Sequence, residues 1–333
     1  MELSRPFIRL PFAFDAERLA EEVAALPADA WMAHPSGMKG NSAVALLSRD
    51  GGDNDDFDGA MTETPHLKRC PYVRQVMASF GEVLGRSRLM KLAVGGEVSM
   101  HVDLNYHWYT RVRIHIPVIT NPDVIFFCAD EHIHMRAGES WIFNSWRRHR
   151  VTNSSAEDRV HLVIDTAGSS RFWNTVRKME ALDRETDQDA IDQLVTNIPY
   201  RNSASVEIRA ERYNIAPVMS PGELDALVRE LIADFECSKK NDPSRVAHYK
   251  SFLTAFSKDW RELWLLYGYQ KEGWPLYKAL IDGAVRQMHP DRNALITSTN
   301  EVGVNPIIMQ RIFWSALSVE IYDQFVGGED SKS

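Results

Sequence analysis

The chain has 333 residues, 44% of them apolar and 25% charged, with a net charge of −8. This composition fits one large globular domain or two modest ones. The acidic balance argues against a strongly electrostatic nucleic-acid surface, which needs a basic surplus. Cys70, Cys128 and Cys237 are far apart, odd in number and without a CxxC pair, so neither a disulfide framework nor a thiolate zinc site is expected. Met1 to Phe12 lacks the basic start and long apolar core of a signal peptide, and no run approaches the roughly 20 apolar residues of a membrane span. A reducing cytoplasm is the expected compartment.

Residues 5–12 alternate weakly and suggest an edge strand limited by Pro6 and Pro11. Asp15 to Leu26 has the spacing of an amphipathic helix, with Leu19, Val23 and Leu26 on one face. Residues 27–75 read as irregular. Within them Gly51-Gly52-Asp53-Asn54-Asp55-Asp56 reads as a solvated polar loop, since it lacks the ligand spacing of an EF-hand. Pro71 to Leu84 predicts a second helix, with Gly85 as its stop.

From Ser87 the pattern is strand after strand. Ser87–Val94 and Val98–Asp103 flank a Gly95-Gly96 turn. Arg111–Val118 alternates, with Arg111, Arg113 and His115 on one face. Val124–Ala129, His132–Arg136, Ser140–Phe143 and Val160–Ile164 follow. Many short strands with turn signals between them indicate a sandwich or barrel. After Trp173 the texture becomes helical. Ser220-Pro221-Gly222-Glu223 is a capping box opening a helix to Cys237. Asp242-Pro243 starts another, and Pro275–Met288 and Pro306–Phe325 read as two more. The polar part of 174–219 is expected to wrap the barrel, and Gly327–Ser333 to fray. The division expected is 1–172, a β-barrel with N-terminal helices, and 173–333, a helical C-terminal domain.

Seven of the eleven histidines lie between His101 and His161. On a strand, residues two apart point the same way, so His101 and Asp103 present an imidazole and a carboxylate to one point. A third ligand from elsewhere in the sheet would complete the two-histidine, one-carboxylate face of a non-haem iron site. Taken alone, His-x-Asp is a weak signal. Its company strengthens it: His149 lies downstream, and Arg159 follows ten residues later at the start of an apolar strand. An arginine buried near a metal needs an anion, and a chelating dicarboxylate would supply one.

The ordered set His101-Val102-Asp103, Arg113-Ile114-His115, His149-Arg150-Val151-Thr152-Asn153 and Arg159-Val160-His161-Leu162-Val163-Ile164-Asp165 resembles the aspartyl/asparaginyl β-hydroxylase family. Ile133-His134-Met135-Arg136-Ala137-Gly138-Glu139-Ser140-Trp141 is similar to the bacterial proline hydroxylases of that group. The motif resemblance covers about residues 87–168. It implies a double-stranded β-helix (jelly roll, cupin-like) fold, Fe(II), and 2-oxoglutarate and O2 as cosubstrates. It implies His101, Asp103 and His149 as iron ligands and Arg159 as the anchor for the distal carboxylate of 2-oxoglutarate. Arg113 and His115 match a pair near the cosubstrate, and His134 matches a proline-hydroxylase position that a structural role would explain equally well. His161 is the competing ligand; the ten-residue step from His149 to Arg159 is the family's. The carboxylate of Asp103 implies hydroxylation rather than halogenation.

The aromatic run after Asp103, with Asn105, His107 and Trp108, and Arg147 beside His149, are the candidate substrate contacts. His107 and His132 read first as loop or surface residues, and His34, His66, His248 and His289 have no chemical company. Three readings compete: a hydroxylase of a free amino acid or other small carboxylate, a hydroxylase of a peptide or protein side chain, and a cupin-like metal-binding or sensor protein without oxygenase activity. Neither nucleic acid nor membrane is an expected partner, and the oligomeric state, a homodimer included, is left open.

Overall fold

A computed structural model of the chain describes residues 2–33, 40–182, 187–202 and 206–330; His34 lies outside them. The chain divides into two compact units, Met1–Asp103 with Thr110–Arg212, and Leu104–Tyr109 with Tyr213–Ser333. Residues 173–212, which the sequence texture groups with the helical part, fold with the first unit.

The strands of the first unit are β1 (Phe7–Phe14), β2 (Met32–Ala33), β3 (Asn41–Arg49), β4 (Met61–Glu63), β5 (Leu84–Leu92), β6 (Glu97–His101), β7 (Val112–Ile119), β8 (Val124–Cys128), β9 (Glu131–Ile133), β10 (Glu139–Phe143), β11 (His149–Asn153), β12 (Arg159–Thr166) and β13 (Thr196–Ile198). Among the described residues they form a large sheet, β13-β1-β10-β7-β12-β5-β3-β2 with β4 on β3, and a small sheet, β6-β11-β8-β9. All pairings are antiparallel except β1 with β13. Two facing sheets with non-sequential neighbours make a double-stranded β-helix.

Period-two alternation gives the large sheet two different faces. Ile8, Leu10, Leu89, Ile114, Ile116, Leu162 and Ile164 pack outward in one core with Leu19, Val23, Val73, Val76 and Phe172 of the covering helices. The opposite face turns Phe7, Leu92, Trp141 and Phe143 toward Val124, Phe126, Cys128 and Val151 of the small sheet. Arg88, Arg113, His115, Arg159 and His161 share the parity of this inner face. Apolar burial of the outer face drives folding, and the inner face is left for chemistry.

The helices over the outer face begin where capping residues allow. Asp15 caps Ala16–Ala24 by accepting from Arg18 N at 3.0 Å, and Ser169 caps Ser170–Glu180. The helix Pro71–Ser79 is capped by a distant side chain. Buried Glu22 accepts from Tyr72 N at 2.8 Å and from Val73 N at 3.0 Å, placing a carboxylate on the positive end of that helix.

Several local expectations are corrected. The strand at residues 5–12 is flanked on both sides, by β10 and β13. Its register shifts between Arg9 and Ala13, and Pro11 sits in that irregularity, where its missing N–H costs no ladder bond. The irregular stretch 27–75 contains β3, a nine-residue strand buried at seven positions. Apolar on both faces, β3 shows no alternation to read. The helix from Pro71 ends at Ser79, and Gly81, at φ +62°, is its stop. Gly85 lies inside β5.

In the second unit the helices Pro221–Cys237, Pro243–Tyr267 and Trp274–Val285 form as expected. Trp260 lies at their centre, stacked with Phe256 and Tyr277 and donating its indole N–H to Met219 O at 2.9 Å. The expected helix 306–325 is instead broken. Val304–Ile307 leads into a π-helical stretch, Ile308–Phe313, then Trp314–Ala316, before Leu317 turns extended. Leu317 bridges to Val218, which the continuous helix would forbid. A last helix, Tyr322–Asp330, occupies most of the expected tail. Among the described residues no helix is long and apolar enough to cross a membrane.

Removing the Glu22 carboxylate leaves two buried backbone donors without acceptors. Glu22→Ala should lower the stability of the first unit by about 1–3 kcal/mol. Urea unfolding followed by far-UV circular dichroism measures this, and an unchanged midpoint would contradict the capping role.

Candidate metal centre

The pairing of β6 with β11 sets His149 directly across from His101. The chain continues from His101 to Asp103, whose N–H bonds Ser145 O at 3.1 Å and so holds it beside the strand end. The ligand atoms of His101, Asp103 and His149 all lie within 4.8 Å of one another. His161, the rival histidine, is not in this group. His149 is the first residue of β11.

The hydrogen bonds of the two imidazoles suit a metal. His101 Nδ1 lies 2.8 Å from Ser99 O, and His149 Nδ1 lies 2.9 Å from Arg147 O. A carbonyl accepts only from the protonated nitrogen, so each Nε2 keeps a free lone pair. Asp103 Oδ2 is buried with no hydrogen-bond partner, a costly state that a bound cation would relieve. Burial lowers the His149 pKa to about 4, against the opposing pull of Asp103. The imidazole is therefore neutral, as a ligand must be, at neutral pH. A divalent cation fits this donor set.

Next to this group lies a closed polar interior. His115 stacks edge-on against Phe143, which in turn packs on His149. His115 and His161 meet through Nδ1 atoms 3.4 Å apart. Burial, then the nearby arginines, holds both well below the usual histidine range. Both rings are thus neutral, and the Nε2 of each is buried without a partner. Arg159, on the same face of β12 as His161, is buried, and its Nε also lacks a partner. Burial alone lowers its pKa to about 9, with no carboxylate offsetting it; it stays charged at neutral pH. An uncompensated buried cation with unused donors is an anion site.

Residues 36–168 match the family model for aspartyl/asparaginyl β-hydroxylase. The chain is 28% identical over 138 residues to L-proline cis-3-hydroxylase 1 of a Streptomyces species, covering 39% of this chain and 48% of that protein. It is 25% identical over 175 residues to L-proline cis-4-hydroxylase of Rhizobium meliloti, covering 50% of this chain and 62% of that one. The chain thus matches only about half to three-fifths of the length of these relatives. A solved Pseudomonas putida prolyl-4-hydroxylase is similar over 49% of this chain and 92% of its own, at 12% identity and a TM-score of 0.33. At that score the jelly roll rests on the strand register described above.

The first unit holds a second group of charges, which left no clear pattern in the sequence. Arg86 and Arg88 of β5 are buried. Asp55, from the loop read as solvated, reaches both: its Oδ1 accepts from Arg86 Nη1 at 2.7 Å and from Arg88 Nη1. Asp165 of β12 pairs with Arg86 at 3.7 Å and with Arg113 at 3.6 Å. Arg113 thereby connects this group to the metal side, where its charge also acts on His149 and His115. The only advance signal was two arginines at alternate positions of an otherwise ordinary strand.

The remaining candidates are dispersed. His134 bonds Val124 O through Nδ1 at 3.1 Å. It lines a cavity of about 290 Å³ with Arg9, Arg136, Glu139, Trp141 and Asp192. Arg147 is half-buried and contributes its carbonyl to His149. Residues 104–109 belong to the second unit. There Asn105 Oδ1 accepts from Trp108 N at 3.1 Å, and His107 and Trp108 are buried.

The geometry predicts that His149→Ala abolishes stoichiometric Fe(II) binding, whereas His161→Ala retains it. Metal content after anaerobic loading and desalting checks this; equal loss in both variants would contradict the ligand set.

Proposed function

We propose that the chain is an Fe(II)- and 2-oxoglutarate-dependent dioxygenase that hydroxylates an unactivated C–H of an amino acid or similar small carboxylate, releasing succinate and CO2. The observation that carries this is Arg159, a buried cation without a protein carboxylate, on the inner face of the sheet that faces the metal group. A 2-oxo dicarboxylate has a chelating end for a metal and a second carboxylate for such an arginine. The similarity to L-proline hydroxylases supports an amino-acid substrate.

Each residue then has a physical task. His101, Asp103 and His149 would hold the iron. Bound iron with 2-oxoglutarate and O2 supplies the oxidising power for C–H hydroxylation. Arg159 fixes the far carboxylate of the cosubstrate, and neutral His161 and His115 supply a hydrogen-bond donor without adding charge. Because their Nδ1 atoms share one proton, one of the two Nε2 atoms carries a hydrogen and can donate. The apolar wall of Phe126, Trp141 and Phe143 excludes water from the reacting centre. Selectivity follows from position: only the C–H held at the open side of the metal reacts.

Incubation with Fe(II), ascorbate, 2-oxoglutarate and a panel of amino acids and short peptides should give succinate stimulated by a free amino acid. Stimulation by peptides alone would shift the reading to a side-chain hydroxylase, and failure to bind 2-oxoglutarate would refute the enzyme. Arg159→Ala should raise the KM for 2-oxoglutarate at least about 30-fold, the loss of a charge-assisted bidentate contact, while iron stays bound. An unchanged KM would contradict its role.

A further inference from the structure

The geometry points to a clamp for the two charges of a free α-amino acid, with Arg88 taking the carboxylate and Asp55 the ammonium. This rests on the dioxygenase reading above and goes beyond it by naming the groups the substrate must carry.

Asp55 Oδ1 is occupied by Arg86 and Arg88, but Oδ2 has no hydrogen bond. The Asp55 side chain is 24% exposed, whereas that of Arg86 is 2% exposed. Asp55 therefore stands at the accessible margin of a buried cluster. Arg88 is buried and donates from Nη1 to Asp55. Burial lowers its pKa to about 9, and Arg86 lowers it further. A guanidinium in this state gains from another carboxylate. Arg88 shares the inner face of the sheet: it lies opposite Val163 on β12, and Val163 lies opposite His115 on β7. The clamp thus stands in the same interior as the cosubstrate site.

The loop that carries Asp55 is held in place. Arg49 pairs with Asp56 and Asp58. The Asn54 amide donates to Arg49 O at 2.9 Å, and the ring of Phe57 lies 4.0 Å below the Arg86 guanidinium. A carboxylate fixed by this many contacts is presented for a purpose beyond solvation. The ammonium and carboxylate of an α-amino acid sit on the same carbon. Their recognition needs an anion and a cation side by side, each with an unused atom, and Asp55 and Arg88 meet that requirement. N-acyl amino acids and internal peptide residues offer no ammonium to Asp55, and amides offer no anion to Arg88.

The test uses the full chain loaded with Fe(II) and 2-oxoglutarate, and substrate-stimulated succinate. Free L-amino acids, their N-acetyl derivatives and their carboxamides are compared as probes. The wild type should favour the free amino acid over both derivatives by at least about 100-fold in kcat/KM, the scale on which a site with buried polar groups rejects an analogue that leaves them unpaired. Asp55→Asn should reduce the free-versus-N-acetyl ratio to within about tenfold while leaving discrimination against the amide; Arg88→Gln should do the reverse. A merely structural role for Asp55 would lower all rates together and leave the ratios unchanged, which would overturn the clamp. Equal use of N-acetyl and free amino acids by the wild type would also overturn it, and needs no variant that folds. If no probe stimulates succinate, the reading of a free amino acid as substrate falls and the clamp with it; if turnover occurs without discrimination at the amine, the clamp alone falls.

Discussion

The antiparallel pairing of β6 with β11 is the constraint on which the rest depends. His101 and His149 are 48 residues apart in the chain, and a single cross-strand register makes them neighbours, with ring centroids 4.1 Å apart. A one-residue slip would turn one of them to the opposite face. The register is supported from the other side of β11, where five consecutive residues pair with β8. Phe126 of β8 packs against Phe143 and His115, so the apolar filling between the sheets and the placement of the imidazoles are one arrangement.

The division of labour between the two faces of the large sheet explains why so many charges can be buried. The outer face carries an uninterrupted aliphatic layer under three helices and supplies the apolar burial. The inner face carries arginines and histidines whose burial opposes folding. Such a surface persists because the outer layer and the facing small sheet hold its geometry. Neutral imidazoles at His115 and His161 limit the accumulated charge. Arg86, Arg88 and Arg113 are moderated by Asp55 and Asp165, and Arg159 is left without a carboxylate. Strongly perturbed groups of this kind mark functional sites.

The strand-rich centre and the His101–Asp103 pair were legible because they depend on local rules, whereas His149 entered as a ligand through the family resemblance. Alternation showed β7, and the parity of a strand put His101 beside Asp103. The capping box at Ser220 and the Asp242-Pro243 start showed the long helices of the second unit. What was not legible depended on tertiary context. Strand β3 is buried on both faces and so lacks alternation. The end of the helix from Pro71 was set by a left-handed glycine four residues before the one expected. The π-helical break after Ile307 answers to the bridge between Val218 and Leu317. Asp55 was hidden for the same reason: a polar loop reads as solvated unless the buried arginines it meets, some thirty residues on, are known.

The central claim is that one interior holds a metal on His101, Asp103 and His149 and a 2-oxo dicarboxylate reaching from that metal to Arg159. Anaerobic titration of the apo-protein with Fe(II) and 2-oxoglutarate, followed by visible absorption, tests it most directly. The account predicts a charge-transfer band that needs both components, saturates at one of each per chain and is not produced by succinate. Iron that binds without yielding the band when 2-oxoglutarate is added would contradict it.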